Sequence, residues 1–212
     1  MGIAERKQRD KERRIQEIIN AARYLFSTKG LHNTTMMDIA EQAELSRRTL
    51  YHYFASKEDI SYVIMLQSYQ LMKNLILKSW EGYNRTAYEK MEFLKGALVD
   101  FYHKHFDEFT FTLFLDFSID EEVPPTEEAS KCYQIIDSLV SDIARILKEG
   151  VEDGSLRPLG EPEHVALTIL TMLQGTMQKI ALMKDWVKER YIKSNDIMIN
   201  TMFDIYLSAI KA

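Results

Sequence analysis

Two arginines, a threonine, a tyrosine and a histidine stand almost side by side at Arg47, Arg48, Thr49, Tyr51 and His52. Their common chemistry is hydrogen bonding and charge pairing with phosphate oxygens and base edges. A guanidinium fork matches phosphate or guanine, and hydroxyl and imidazole groups can serve either. Such chemistry needs a rigid display, and the flanking residues supply one. Ile39, Ala43, Leu45 and Leu50 are spaced to make apolar contacts, while Ala40 is small enough to let two short helices cross tightly. With those positions inward, the five polar residues face outward on the second helix. A helix of this kind fits the major groove with its N-terminal residues against base edges.

The helix starts agree with that partition. Thr35 followed by Asp38 has the pattern of a capping box, Ser46 is placed to cap the second helix, and Ser56 with Asp59 repeats the box for a third. Ahead of them, Ile15, Ile18, Ile19, Ala22 and Phe26 give one apolar face to a helix expected from Asp10 to Thr28, with Gly30 as its terminator. The arm before that helix holds Arg6, Lys7, Arg9, Lys11, Arg13 and Arg14, diluted by Glu5, Asp10 and Glu12. A solvated, frayed end and a minor-groove or phosphate contact are both open for it.

The net charge of −5 is unevenly placed. Residues 1–58 carry +3 and the remainder −8, so docking on nucleic acid is expected by one end only. Hydrophobic residues make up 46% of the chain and only 4 residues are proline, which suits a helical protein with a substantial core. Cys132 is the only cysteine, so no internal disulfide can form, and it reads as a small core residue in a reducing cytoplasm. The charged N-terminus is no signal peptide, Arg6 breaks the myristoylation pattern, and no apolar run approaches a membrane span. A soluble, cytoplasmic protein is expected.

One long helix is expected from Lys57 to about Gly82, a stiff connector between the small N-terminal unit and the rest. Residues 86–117 read as two helices, the second dense in aromatics: seven rings lie between Phe101 and Phe117, more than one packed face needs. They either form a bulky core or wall a cavity for an apolar ligand, and both can hold. Trp80, Tyr83, Phe101, Phe106, Phe114, Tyr133, Met172, Gln174 and Trp186 are the candidate lining, with His103 or Gln174 as a polar anchor. No positive cluster awaits an anionic head group, which favours a neutral or cationic apolar molecule. An acidic loop with a Pro pair follows at 118–129, then a helix over 128–152. Helices over about 162–184 and 195–210 are apolar nearly all round. Two such helices at the end of the chain predict a homodimer through a two-fold four-helix interface, with Gly175 permitting close approach.

The segment MMDIAEQAELSRRTLYHYFASKEDI resembles the helix-turn-helix of the tetracycline-repressor (TetR) family of bacterial regulators. The shared elements are Ile39-Ala40, Ala43, Ser46, Thr49-Leu50-Tyr51, Tyr53-Phe54 and Ser56-Lys57; FSTKGLHNTT and EGVEDGSLRPLGEPEHVA look equally typical. The resemblance implies an all-α dimer. Residues 1–56 would form a three-helix DNA-binding domain with the helix-turn-helix, and 57–212 a helical ligand-binding and dimerisation domain. It also implies a regulator of transcription, in the usual case a repressor, that a small apolar effector releases from a pseudo-palindromic operator. By position, Thr35, Ser46, Arg47, Thr49, Tyr51, His52 and Lys57 would touch DNA, with Tyr51 and Lys57 on phosphates and Arg47 and His52 on bases or backbone. The sequence departs from the family at Glu44, where Gly is common, and at Arg48, where a small residue is. Arg48 either adds a phosphate or guanine contact or points to solvent.

Two other function classes compete with this one. An enzyme is disfavoured: there is no metal-binding His pair, phosphate loop or nucleophile elbow, and His103 and His105 diverge by roughly 200° on one helix. Neither a cofactor nor a metal is expected. A helical adaptor that binds only protein or ligand is the alternative, but it would not need Arg47, Arg48 and Lys57 beside capped helix starts.

Overall fold

The computed structural model describes residues 2–82, 85–113, 127–182 and 195–212, and every structural statement below concerns those. They form nine helices: α1 (Ile3–Lys29), α2 (Met36–Gln42), α3 (Arg47–Tyr53), α4 (Lys57–Trp80), α5 (Ala87–Lys104), α6 (Phe106–Thr112), α7 (Glu127–Glu152), α8 (Pro162–Leu182) and α9 (Asn195–Ile210). No strand occurs among the described residues; Leu156 and Lys211 form one isolated bridge. The all-α expectation holds. The chain divides into two compact units. The first takes residues up to Gln67 and the described 127–132, and the second takes the described parts of 68–114 and 133–212. Helix α4 is continuous and contributes to both.

In the first unit the core is Ile18, Ile19, Ala22 and Phe26 of α1, Ile39 and Ala40 of α2, Leu50 of α3, and Ile60, Ile64 and Met65 of α4. These are the inward positions the apolar spacing demands. Helix α1 starts earlier than expected, at Ile3 rather than Asp10. The basic arm is therefore helical, because its polar side chains bond along one helix. Gly2 N–H donates to the Glu5 carboxylate at 2.8 Å, Gln8 to Glu12 at 2.8 Å, and Arg14 to Glu17 at 2.8 Å. Each such pair adds a few tenths of a kcal/mol to a helix, enough to carry an already nucleated helix backward.

In the second unit Ile76, Met91, Leu94, Phe101, Leu139, Ile143, Ile199 and Phe203 anchor a shared core from α4, α5, α7 and α9. The aromatic segment is not one helix. Helix α5 runs to Lys104 and His105 breaks it, with φ −135° and ψ 48°. His105 N–H closes α5 on Phe101 O at 3.0 Å, and its own carbonyl accepts from Phe109 at 2.8 Å to open α6. The turn after α7 is tied to the start of α5: Asp153 accepts from Ala87 N–H at 3.0 Å and the Ser155 hydroxyl from Tyr88 N–H at 3.2 Å. Phe114, Phe117, Tyr83, Trp186 and most of the acidic loop lie outside the described residues.

Candidate nucleic-acid interface and ligand cavity

Helices α2 and α3 are held by local side chains at each end. Thr35 caps α2, accepting from Asp38 N–H at 3.1 Å, while the Asp38 carboxylate accepts from Thr35 N–H and hydroxyl at 2.7 and 2.8 Å. Lys29 adds a 2.7 Å ion pair to the same oxygen. The Lys29 ammonium, and after it the Thr35 donors, hold the Asp38 carboxyl down at about 2. Ser46 caps α3 by accepting from Thr49 N–H at 3.1 Å, and its hydroxyl lies 2.8 Å from that of Thr49. The Ser56–Asp59 pair caps α4 in both directions, at 3.0 and 3.1 Å.

The turn between α2 and α3 is a Schellman motif built on a residue that resists it. Leu45 N–H reaches Ala40 O at 2.8 Å and Glu44 N–H reaches Glu41 O at 3.1 Å. Between those bonds Glu44 takes φ 54°, alone among the described non-glycine residues in having positive φ. A side chain there costs roughly 1 kcal/mol relative to glycine. The departure noted in the sequence is thus a strained position in the structure.

With Leu50 buried beneath it, α3 presents Arg47, Arg48, Tyr51 and His52 outward. Arg47 lies over the Tyr51 ring at 5.4 Å, and His52 meets the Tyr53 ring edge-on at 5.3 Å. Tyr51 remains 43% exposed. Arg48 is exposed and has no intramolecular partner among the described residues. Thr35 and Ser46 are also exposed, whereas Thr49 is half-buried against Ser46. Lys57 differs from expectation. Its ammonium donates to the carbonyls of Leu31, His32 and Thr34 at 2.9, 3.1 and 3.0 Å. All three of its hydrogens go to the loop entering α2, so it positions that helix instead of offering charge to a phosphate.

The second unit encloses a cavity of about 80 Å³. Tyr69, Met72 and Ile76 of α4 form one wall, and Leu98 and Phe101 of α5 with Phe109 and Thr112 of α6 form another. Ile136 and Leu139 of α7, Leu173, Gln174 and Met177 of α8, and Phe203 of α9 close it. Of the candidate ligand residues, Phe101 and Gln174 are therefore placed in the wall. Others are not brought there. Trp80 turns its indole N–H to Lys90 O at 2.9 Å. His103 pairs with Asp196 at 2.9 Å on the surface. Phe106 is 46% exposed and packs edge-on against Tyr102, Tyr133 is half-buried outside the lining, and Met172 faces out from α8. The break at His105 explains the aromatic misplacements: it turns Phe109 inward beside Phe101 and leaves Phe106 outside. The aromatic cluster is divided between packing and lining: Tyr102 and Phe111 are core, while Phe101 and Phe109 line the space.

Cys132 is buried, and desolvation, with Glu128 adding to it, pushes its thiol up to about 11. It stays protonated and packs. No group of three or more His, Cys, Asp or Glu that could hold a metal occurs among the described residues, and no described helix is long and apolar enough to cross a membrane.

Residues 18–61 match the bacterial regulatory proteins of the tetR family, a span that covers the second half of α1, the capped α2–α3 pair and the start of α4. Among curated proteins, the transcriptional regulator HbdR of Aromatoleum sp. (strain CIB) is 35% identical over 71 residues, which cover 34% of this chain and 31% of HbdR. The match thus spans about a third of that relative's length. Among solved structures, a regulator from Saccharomonospora viridis in complex with choline superposes with a TM-score of 0.74 at 20% identity, covering 93% of this chain and 97% of the other. AibR, solved with isovaleryl coenzyme A and operator DNA, superposes with a TM-score of 0.68 at 16% identity, covering 91% and 97%. At these identities the structures speak for the fold and the N-terminal match for the helix-turn-helix. Residues 18–61 are thus similar to the helix-turn-helix of the tetR family of bacterial regulatory proteins, and the chain shares the fold of these regulators over nearly its whole length.

Proposed function

We propose that the chain is a ligand-responsive transcriptional regulator, a repressor in the usual case, that binds a pseudo-palindromic operator as a homodimer. The observation that carries this is the outward row Arg47, Arg48, Tyr51 and His52 on a short helix capped by Ser46 and seated on Leu50. Two such helices, one from each protomer, enter successive major grooves about 34–36 Å apart or somewhat more. Phosphate contacts supply much of the affinity, with Tyr51 and the exposed arginines as the donors. In this reading residues 1–56 are the DNA-binding domain and 57–212 the ligand-binding and dimerising body, working in the cytoplasm.

Dimerisation is supported by a bare apolar face on α8 and α9. Ile205, Met172 and Leu167 are 65%, 53% and 52% exposed, and Gly175 has open space where a side chain would stand. Isolated exposed apolar residues are ordinary, but a run of large ones on two adjacent helices calls for a cover. The effector reading is supported by the cavity in the same unit. To lower operator affinity about a hundredfold, an effector must favour the released state by roughly 2.7 kcal/mol. AibR, which shares this fold, was solved with isovaleryl coenzyme A and operator DNA bound.

The test is fluorescence anisotropy with DNA from immediately upstream of the gene, across a salt series. Sequence-dependent binding with a steep salt slope supports the reading. Should binding to that DNA and to every sequence from a random-library selection equal binding to bulk DNA, operator recognition is refuted.

A further inference from the structure

Two conditions pick out a base-reading residue on a short helix that enters the major groove. Its side chain must point away from the helix's own core, toward the groove floor. It must also stand in the first turn, whose residues meet base edges. Leu50 is the fully buried residue of α3, and Thr49 and Tyr53 are half-buried beside it. With about 100° between successive residues, Arg48 and His52 lie within about 20° of the direction opposite Leu50. Counting Thr49 and Tyr53 as inward too swings the outward direction away from His52 and toward Tyr51. Arg48 stays within about 35° of it either way, and no other residue of α3 does. Arg47 also belongs to the first turn, but it lies about 65–120° to the side. Its guanidinium rests over the Tyr51 ring at 5.4 Å. His52 comes a turn later, with its ring edge-on to Tyr53 at 5.3 Å. Arg48 alone meets both conditions, and it is exposed on a helix whose start is fixed by the Ser46 cap.

A guanidinium aimed at the groove floor has one best partner. Its paired N–H donors match the O6 and N7 acceptors of guanine, whereas adenine sets a donor beside its N7 and thymine a methyl beside its O4. We infer that Arg48 is a specificity-determining residue and that each operator half-site carries a guanine beneath it, while Arg47 with Tyr51 serves the phosphates. This rests on the operator reading above, and it adds which arginine of α3 reads the sequence and which base it reads.

The experiment is a random-library selection with the full-length chain, followed by fluorescence anisotropy on the selected duplex and its single-base variants. A guanine is expected at one equivalent position of each half-site, and its replacement by adenine is expected to weaken binding about 5- to 150-fold. Arg48→Ala is expected to bind the two duplexes equally within about twofold, and Arg48→Gln to turn the preference there toward adenine. Arg47→Ala is expected to keep the preference for guanine. Circular dichroism checks that each variant is folded. The inference is overturned if the selected half-sites share no guanine. It is equally overturned if a folded Arg48→Ala chain still discriminates guanine from adenine there, having lost affinity evenly as removal of a phosphate contact would do. Should Arg48→Ala bind too weakly to compare, Arg48→Gln decides: preference for adenine supports the inference and unchanged preference for guanine overturns it. Failure of the operator reading looks different, because the unaltered chain then enriches no sequence at all and both readings fall.

Discussion

Arg47 and Lys57 carry the same charge, yet their surroundings give them different work. Arg47 is exposed on α3 and stacked on Tyr51, so its charge remains available to an oxyanion. Lys57 has three carbonyl acceptors within 3.1 Å and is half-buried. Arg47→Ala is expected to weaken operator binding by about 1–3 kcal/mol and to make the salt slope less steep. Lys57→Met is expected to lower the stability of the first unit by about 2 kcal/mol while leaving the salt slope of the folded protein unchanged. Chemical denaturation and a salt series on the two variants separate these outcomes. Asp38 gives a pH signature. Its folded carboxyl titrates at about 2, below the ordinary value of 3.8, so its contribution to stability is complete above the ordinary value and is lost as pH falls toward 2. Asp38→Asn should therefore remove that part of the acid-induced loss between about pH 4 and 2, followed by urea unfolding at each pH. Sequence reading placed Arg47 and the Asp38 box because caps act over three residues. It misplaced Lys57 because the three carbonyls that hold it lie a whole motif away in the chain.

Helix ends set the geometry of the elements, and two of them are expected to respond to single substitutions. Glu44→Gly relieves the positive φ at the end of α2 and should raise the stability of the first unit by about 1 kcal/mol, read as a higher denaturation midpoint. Gly150→Ala should do the reverse in the second unit. A Cβ there would collide with the Leu156 side chain and stand 2.8 Å from Ala87, in the knot that joins α5 to the turn after α7. Overpacking of that kind costs about 1–3 kcal/mol, measurable by the same unfolding curves. The positions of α4, α7, α8 and α9 were legible within a few residues, because apolar periodicity and flanking Gly or Pro report on each helix alone. The cavity was not legible. It takes one to four residues from each of six helices, and every one of them, Tyr69 and Leu139 included, sits at a spacing that packing alone would also produce. Only the break at His105 decides which rings face inward, and no turn residue announces that break.

At the level of the whole molecule, charge and apolar surface divide the labour. The basic N-terminal quarter favours DNA at one end, and the acidic remainder repels it elsewhere. The apolar face of α8 and α9 is the other exposed asymmetry. Ile205→Lys, which sets a charge in the middle of that face, should weaken self-association by about 3 kcal/mol or more without unfolding the chain. Sedimentation equilibrium reads the change, and circular dichroism checks the fold. If the variant remains as dimeric as the unaltered chain, the interface lies elsewhere. The same face has a consequence for dosage. If the proposed dimer is the operator-binding species, then below its dissociation constant it grows with the square of chain number, so halving the copy number leaves about a quarter of the pairs. Control of this protein's own synthesis would then act on its target genes more steeply than in proportion.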